Sequence, residues 1–138
     1  MLSARDLKMT YLGRQILAEL FECDENALKD LSYVKETMEK AARAAKVTVV
    51  QTAFHKFGDL GVSGVLVIAE SHLSIHTWPE YRYAAVDVFT CGKRAKPERA
   101  LRVLAKSLGA RQMVSKLVLR GTGHEFEVVE SVLPDAGI

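Results

Sequence analysis

Residues 68–92 read IAESHLSIHTWPEYRYAAVDVFTCG, and their alternation decides the fold. Side chains along a β-strand point to opposite faces in turn. Leu73, Ile75 and Thr77 therefore share one face, while His72, Ser74, His76 and Trp78 share the other, joined by Glu80 if the strand runs that far. The apolar face calls for a cover of helices. The opposite face, lined with imidazoles, a hydroxyl and an indole, reads as a binding surface. The following YRYAAVDVFTC (81–91) is also strand-like and ends on the thiol of Cys91.

Upstream, VTVVQTAFHKF (47–57) and GVSGVLVIAE (61–70) are rich in β-branched and aromatic residues, with Gly58, Gly61, Gly64 and Gly92 as punctuation. Such segments predict a meander of strands. RQILAELFEC (14–23) sets Ile16, Ala18 and Leu20 in one phase and predicts a first strand. From Leu31, the apolar residues Leu31, Val34, Met38, Ala41, Ala42 and Ala45 recur at helical spacing, with Asp30 or Ser32 as N-cap. Lys35, Glu36, Glu39, Lys40 and Arg43 form its solvated face. A second helix is predicted to start at Pro97, turn Leu101, Leu104 and Leu108 inward and stop at Gly109. QMVSKLVLRG (112–121) and HEFEVVESVL (124–133) close the chain as strand candidates. The expected fold is α+β: a two-layer sandwich of a mostly antiparallel sheet with two helices on one face. The bare sheet face is then either polar or covered by a second copy.

With 138 residues, 49% hydrophobic and 26% charged, the chain fits one globular domain able to bury a core. The apolar run GVLVIA (64–69) falls far short of the ~20 residues of a membrane span. MLSARDLKMTYLGRQ has no secretory pattern, so a cytoplasmic location is expected. Nineteen basic against 17 acidic residues leave +2 without a basic block, which disfavours nucleic acid as partner. Without a secretion signal, Cys23 and Cys91 read as separate thiols.

Several of these residues have plain roles on their own. His55, His72 and His124 read as solvated or hydrogen-bonded bystanders, Trp78 as packing, and Cys23 and Cys91 as small buried groups. No metal site is expected from His72 and His76, because a strand holds residues four apart at about 13 Å. No Gly-x-Ser-x-Gly elbow surrounds Ser71.

A longer pattern goes further. ESHLSIHTWPE (70–80), with FHKF (54–57), GVSG (61–64) and AAVDVFTCG (84–92), closely resembles the short prokaryotic S-adenosylmethionine decarboxylase proenzymes, from about Gly13 to the helix at Pro97. The resemblance implies a single-domain precursor, residues 1–138, that breaks its own Glu70–Ser71 bond into pieces 1–70 and 71–138. Ser71 becomes a covalent pyruvoyl group. Its hydroxyl attacks the preceding carbonyl to give an ester, β-elimination releases the chain ending in Glu70, and hydrolysis leaves a ketone.

The resemblance makes His76 the proton acceptor in processing and puts Ser63 near the same centre. Alternation sets Ser71 and His76 on opposite faces, so their cooperation requires a turn or bulge at the cleavage site. The implied ketone forms a Schiff base with the amine of S-adenosylmethionine and takes up the electrons left by carbon dioxide, with no diffusible cofactor. Cys91 returns a proton to the correct carbon, Phe57 and Trp78 sandwich adenine, and Glu80 accepts hydrogen bonds from the ribose. The implied product is the aminopropyl donor for polyamine (spermidine) biosynthesis, made at the interface of a homodimer of cleaved protomers. Relatives on this fold with the same self-processing serine decarboxylate arginine or ornithine instead. The aromatic pair and Glu80 favour the nucleoside substrate. The presence of Ser71, His76 and Cys91 together disfavours a catalytically inert binding partner.

Overall fold

The computed structural model describes residues 11–123 and 127–129. His124 and the rest of HEFEVVESVL outside 127–129 lie outside the described residues. In chain order the elements are β1 (Gly13–Phe21), α1 (Glu25–Lys29), α2 (Leu31–Ala44), β2 (Thr48–Lys56), β3 (Val62–Ala69), β4 (Ser71–Trp78), β5 (Tyr83–Cys91), α3 (Pro97–Ser107), β6 (Gln112–Arg120) and β7 (Glu127–Val129). The strands form one seven-stranded sheet in the order β2-β3-β4-β5-β1-β6-β7, and every neighbouring pair is antiparallel.

β2 to β5 are the meander that the β-branched runs predict. The first strand does not join its edge. β1 inserts between β5 and β6, pairing Ile16 with Val88 on one side and Leu117 on the other. This places the N-terminal strand beside both the Cys91 strand and the last long strand.

The core lies between the sheet and the helices. Ile16, Ala18 and Leu20 of β1, Leu73 and Ile75 of β4, and Val86 and Val88 of β5 meet Val34, Met38 and Ala41 of α2 and Leu101 and Leu104 of α3. Helix α2 begins where expected, with the Asp30 carboxylate accepting from Tyr33 N at 3.0 Å. Pro97 opens α3, and Gly109, at φ +70°, follows its end.

Two expectations change. A third, short helix precedes α2: Asp24 caps α1 through Ala27 N, and Leu28 is its buried residue. A single apolar turn is too short to carry a periodic signal in the sequence. Thr77, on the apolar face of β4, anchors it by donating to Leu28 O at 2.7 Å while accepting from Val62 N at 2.8 Å. Gly64 does not punctuate; it lies inside β3, because the Phe54 ring of the neighbouring strand occupies the place of its missing side chain.

Candidate active site

The face of the sheet turned away from the helices mixes polar and apolar side chains, with Gln15 and Glu19 of β1 and Ser63 of β3 beside the polar groups of β4 and β5. Leu17, Val67, Trp78 and Val114 are each 40% exposed or more and lie on that face of their strands. Strand β4 stops at Trp78, since Pro79 opens a 3-10 turn over Pro79–Tyr81, so Glu80 sits exposed on that turn and not on the strand.

At one end, β3 and β4 close in a two-residue hairpin: Ile68 pairs with Ser71, leaving Ala69 and Glu70 at the tip. The register assigns Ser71 to the helix-covered phase, opposite Thr90. Its backbone leaves the strand conformation, however, with φ at +106°. A serine held there costs on the order of 1–3 kcal/mol. The hydroxyl reaches the other phase, where Ser71 Oγ lies 3.2 Å from Cys91 Sγ. Both side chains are half-buried. Gly13 of β1 makes room for them: a Cβ there would meet the Phe89 ring at 2.6 Å and Cys91 Sγ at 3.3 Å.

The other named residues gather toward the opposite end. Ser63 Oγ and His76 Nδ1 are 2.8 Å apart on directly paired residues of β3 and β4. They border an open depression of about 240 Å³ that Ala53, His55 and Ser74 also line. Two residues further along β4, the Trp78 indole stacks on Tyr83 with centroids 5.3 Å apart, and Tyr83 stacks on Phe21 at 5.5 Å. Phe57, exposed in the β2–β3 loop, packs edge-on against His55 at 4.6 Å. Tyr83 donates to Glu19 at 2.6 Å, and burial together with that carboxylate pushes its pKa up to about 12.

Within one chain the site is therefore split. Ser71, Glu70 and Cys91 stand at one end; Ser63, His76, Phe57, Trp78 and Glu80 stand toward the other. Five residues of strand separate Ser71 from His76, about 16 Å at ~3.3 Å per residue. The departure from strand geometry at Ser71 brings it to Cys91, not to His76.

Between the two ends lies a network the sequence did not announce. The Asp87 carboxylate accepts from His72 Nε2 at 2.7 Å, from Gln15 Nε2 at 2.8 Å and from Ser74 Oγ. Asp87 is the lone acid in AAVDVF, in phase with Cys91, which was the available signal. Its partner Gln15 comes from β1, whose place beside β5 is a matter of tertiary pairing. Cys23, by contrast, is a buried residue whose thiol is pushed up to about 11 by burial, against the opposing charge of Arg82.

These features define a two-layer α+β protein with a strained serine facing a thiol at one end of an open sheet, and a serine–histidine pair and exposed aromatics toward the other. The chain belongs to the S-adenosylmethionine decarboxylase family, whose profile matches residues 14–121. It is 51% identical over 130 residues to the S-adenosylmethionine decarboxylase proenzyme of Pseudomonas aeruginosa, covering 94% of this chain and 81% of that protein. With the proenzyme of Carboxydothermus hydrogenoformans it shares 51% over 123 residues, 89% of this chain and 96% of the other. The crystal structure of the adenosylmethionine decarboxylase from Aquifex aeolicus aligns with a TM-score of 0.76 at 35% identity, covering 80% of this chain and 92% of that one. Among the described residues no helix is long and apolar enough to cross a membrane.

Proposed function

We propose that this chain is the precursor of an S-adenosylmethionine decarboxylase that cuts its own Glu70–Ser71 bond and works as a dimer, making the aminopropyl donor of polyamine synthesis. The observation that carries the reading is the Ser71–Cys91 contact of 3.2 Å at a hairpin tip, made by a serine at φ +106°. Ser71 Oγ attacks the Glu70 carbonyl carbon as its proton leaves to a base, and the C–N bond gives way to an ester. Loss of the Cα proton expels the Glu70 carboxylate, leaving a dehydroalanine that tautomerises and takes up water, releasing ammonia. A pyruvoyl ketone then begins the second piece. Such a ketone, once formed, supplies an electron sink for decarboxylation. The residues present fit it: a serine as its source, a thiol beside it, and a bare Gly13 that keeps the space open.

The chain's own groups take complementary parts. His76 Nδ1 is engaged by Ser63, which fixes the orientation of the imidazole that receives the proton during cleavage. Cys91 holds the proton returned after decarboxylation. Phe57 and Trp78 offer flat faces to adenine, and Glu80 accepts from the ribose hydroxyls. Because His76 lies about 16 Å from Ser71 along its own strand, the histidine serving Ser71 comes from a second copy. A two-fold axis through the open sheet face exchanges the two ends and covers the exposed Leu17, Val67 and Val114.

The test is complementation. Ser71→Ala and His76→Ala chains, each purified alone, are expected to stay uncut by intact mass. Co-expressed, they form mixed dimers containing one complete centre, and the His76→Ala chain is cut at 70–71. Cleavage of the lone His76→Ala chain at the wild-type rate would remove His76 from the reaction. Absence of cleavage in the mixture, with mixed dimers present, would place the whole site within one chain.

A further inference from the structure

The Asp87 network is a closed ring beside the Ser71–Cys91 centre. His72 donates to Asp87, which holds Gln15; Gln15 Oε1 accepts from Arg120 Nη1; the Arg120 guanidinium lies 5.1 Å above the Phe89 ring; and Phe89 meets the His72 imidazole edge-on at 5.7 Å. Four adjacent strands contribute to it, and each link is a polar, cation–π or ring contact. It adjoins both residues of the centre. His72 is the residue after Ser71, and Phe89 lies two before Cys91 on the same face of β5.

That placement matters because of how Ser71 is held. Its φ of +106° is unfavourable for serine, so relaxation of the first residue of β4 into ordinary strand geometry would swing the hydroxyl back toward the helix-covered phase. Once the bond at residues 70–71 is cut, the hairpin tip no longer restrains it either. What remains is the ladder to Thr90 and the side chain of the next residue. A carboxylate accepting three hydrogen bonds is a stiff anchor, since charge-assisted bonds are roughly twice as strong as neutral ones.

We propose that His72 and Asp87 are the positioning pair of this centre: their bond holds residue 71 against Cys91 both before cleavage and after it. The proposal rests on the cleavage reading given above. His72 acts through Ser71 and touches no reacting atom.

Three substitutions separate the roles. His72→Gln keeps an N–H near the position of Nε2, His72→Phe keeps the ring and loses the donor, and Asp87→Asn keeps the shape and loses the charge. Two measurements are made. The first is the rate of cleavage by intact mass, followed by kcat and KM of the cut protein. His72→Gln is expected within about 3-fold of wild type. His72→Phe and Asp87→Asn are expected to cut at least 10-fold more slowly and, once cut, to lose kcat with KM unchanged. The second measurement uses uncut chains carrying Ser71→Ala and follows alkylation by iodoacetamide at each cysteine. Cys91 is expected to react several-fold faster when His72→Phe or Asp87→Asn is added. Buried Cys23 reports whether the fold itself has loosened and is expected to stay unreacted.

Equal acceleration at Cys23 and Cys91 would make the pair a stability element and overturn the proposal, as would wild-type cleavage and alkylation in both disruptive variants. If His72→Phe does not fold, Asp87→Asn carries the same test. Failure of the wild-type chain to cut at all would sink the cleavage reading; the alkylation arm would still decide whether the pair holds residue 71 over Cys91.

Discussion

Leu73, Ile75 and Thr77 lie on one face of β4 under the helices, while His72, Ser74, His76 and Trp78, each one residue away, lie on the open face. The covered face is a packed core in which Ile16, Leu66, Leu73, Ile75 and Val88 are fully enclosed by protein. The open face has exposed Leu17, Val67 and Val114 among hydrogen-bonded polar groups and aromatic stacks. Substitutions on the first are expected to act on stability and those on the second on chemistry. In the dimer proposed above, the half-exposed apolar side chains of the open face are covered by the second copy.

The sharpest way to break this division is at Cys91. Cys91→Ala is expected to cut its own chain at least in part, and then to lose about 10²–10⁴-fold in kcat, the usual span for a positioned proton donor. Wild-type kcat, measured as carbon dioxide release, would give that proton to another group. On the covered face, Leu73→Ala removes a fully buried side chain and is expected to cost about 2–5 kcal/mol in denaturant unfolding, with the folded fraction still cutting normally. A block of cleavage without loss of stability would erase the contrast between the faces.

Trp78→Ala is expected to raise KM for S-adenosylmethionine by roughly 5-fold to 150-fold, the equivalent of about 1–3 kcal/mol of stacking. Carbon dioxide release with S-adenosylmethionine, arginine and ornithine at equal concentration completes the measurement; an unchanged KM would leave the indole a packing group on Tyr83. The smallest effect concerns Tyr83. Its pKa is pushed up to about 12, so the folded state keeps this proton after the unfolded chain has lost it. The contribution to stability is whole below about pH 10, the ordinary tyrosine value, and fades toward the folded value as pH rises. Tyr83→Phe is expected to flatten that alkaline decline in denaturation midpoints, and an unaltered slope would assign the decline to other groups.

What the sequence by itself determined was local. Period-two alternation separated the two faces of β4, and the helical spacing from Leu31 with Asp30 ahead of it located α2, because each depends on residues a few positions apart. The contiguous ESHLSIHTWPE pattern carried the family, since a hairpin tip with its flanking strands is continuous in the chain. Tertiary structure alone decided where these parts meet. Seating β1 between β5 and β6 brought Gln15 to Asp87 and Gly13 under Cys91, pairings between residues more than seventy apart whose register no local periodicity encodes. The same holds for the division of the site: an alternating pattern lists the residues of a face without measuring along it. Only the rise of a straight, paired strand keeps Ser71 and His76 at opposite ends of one chain.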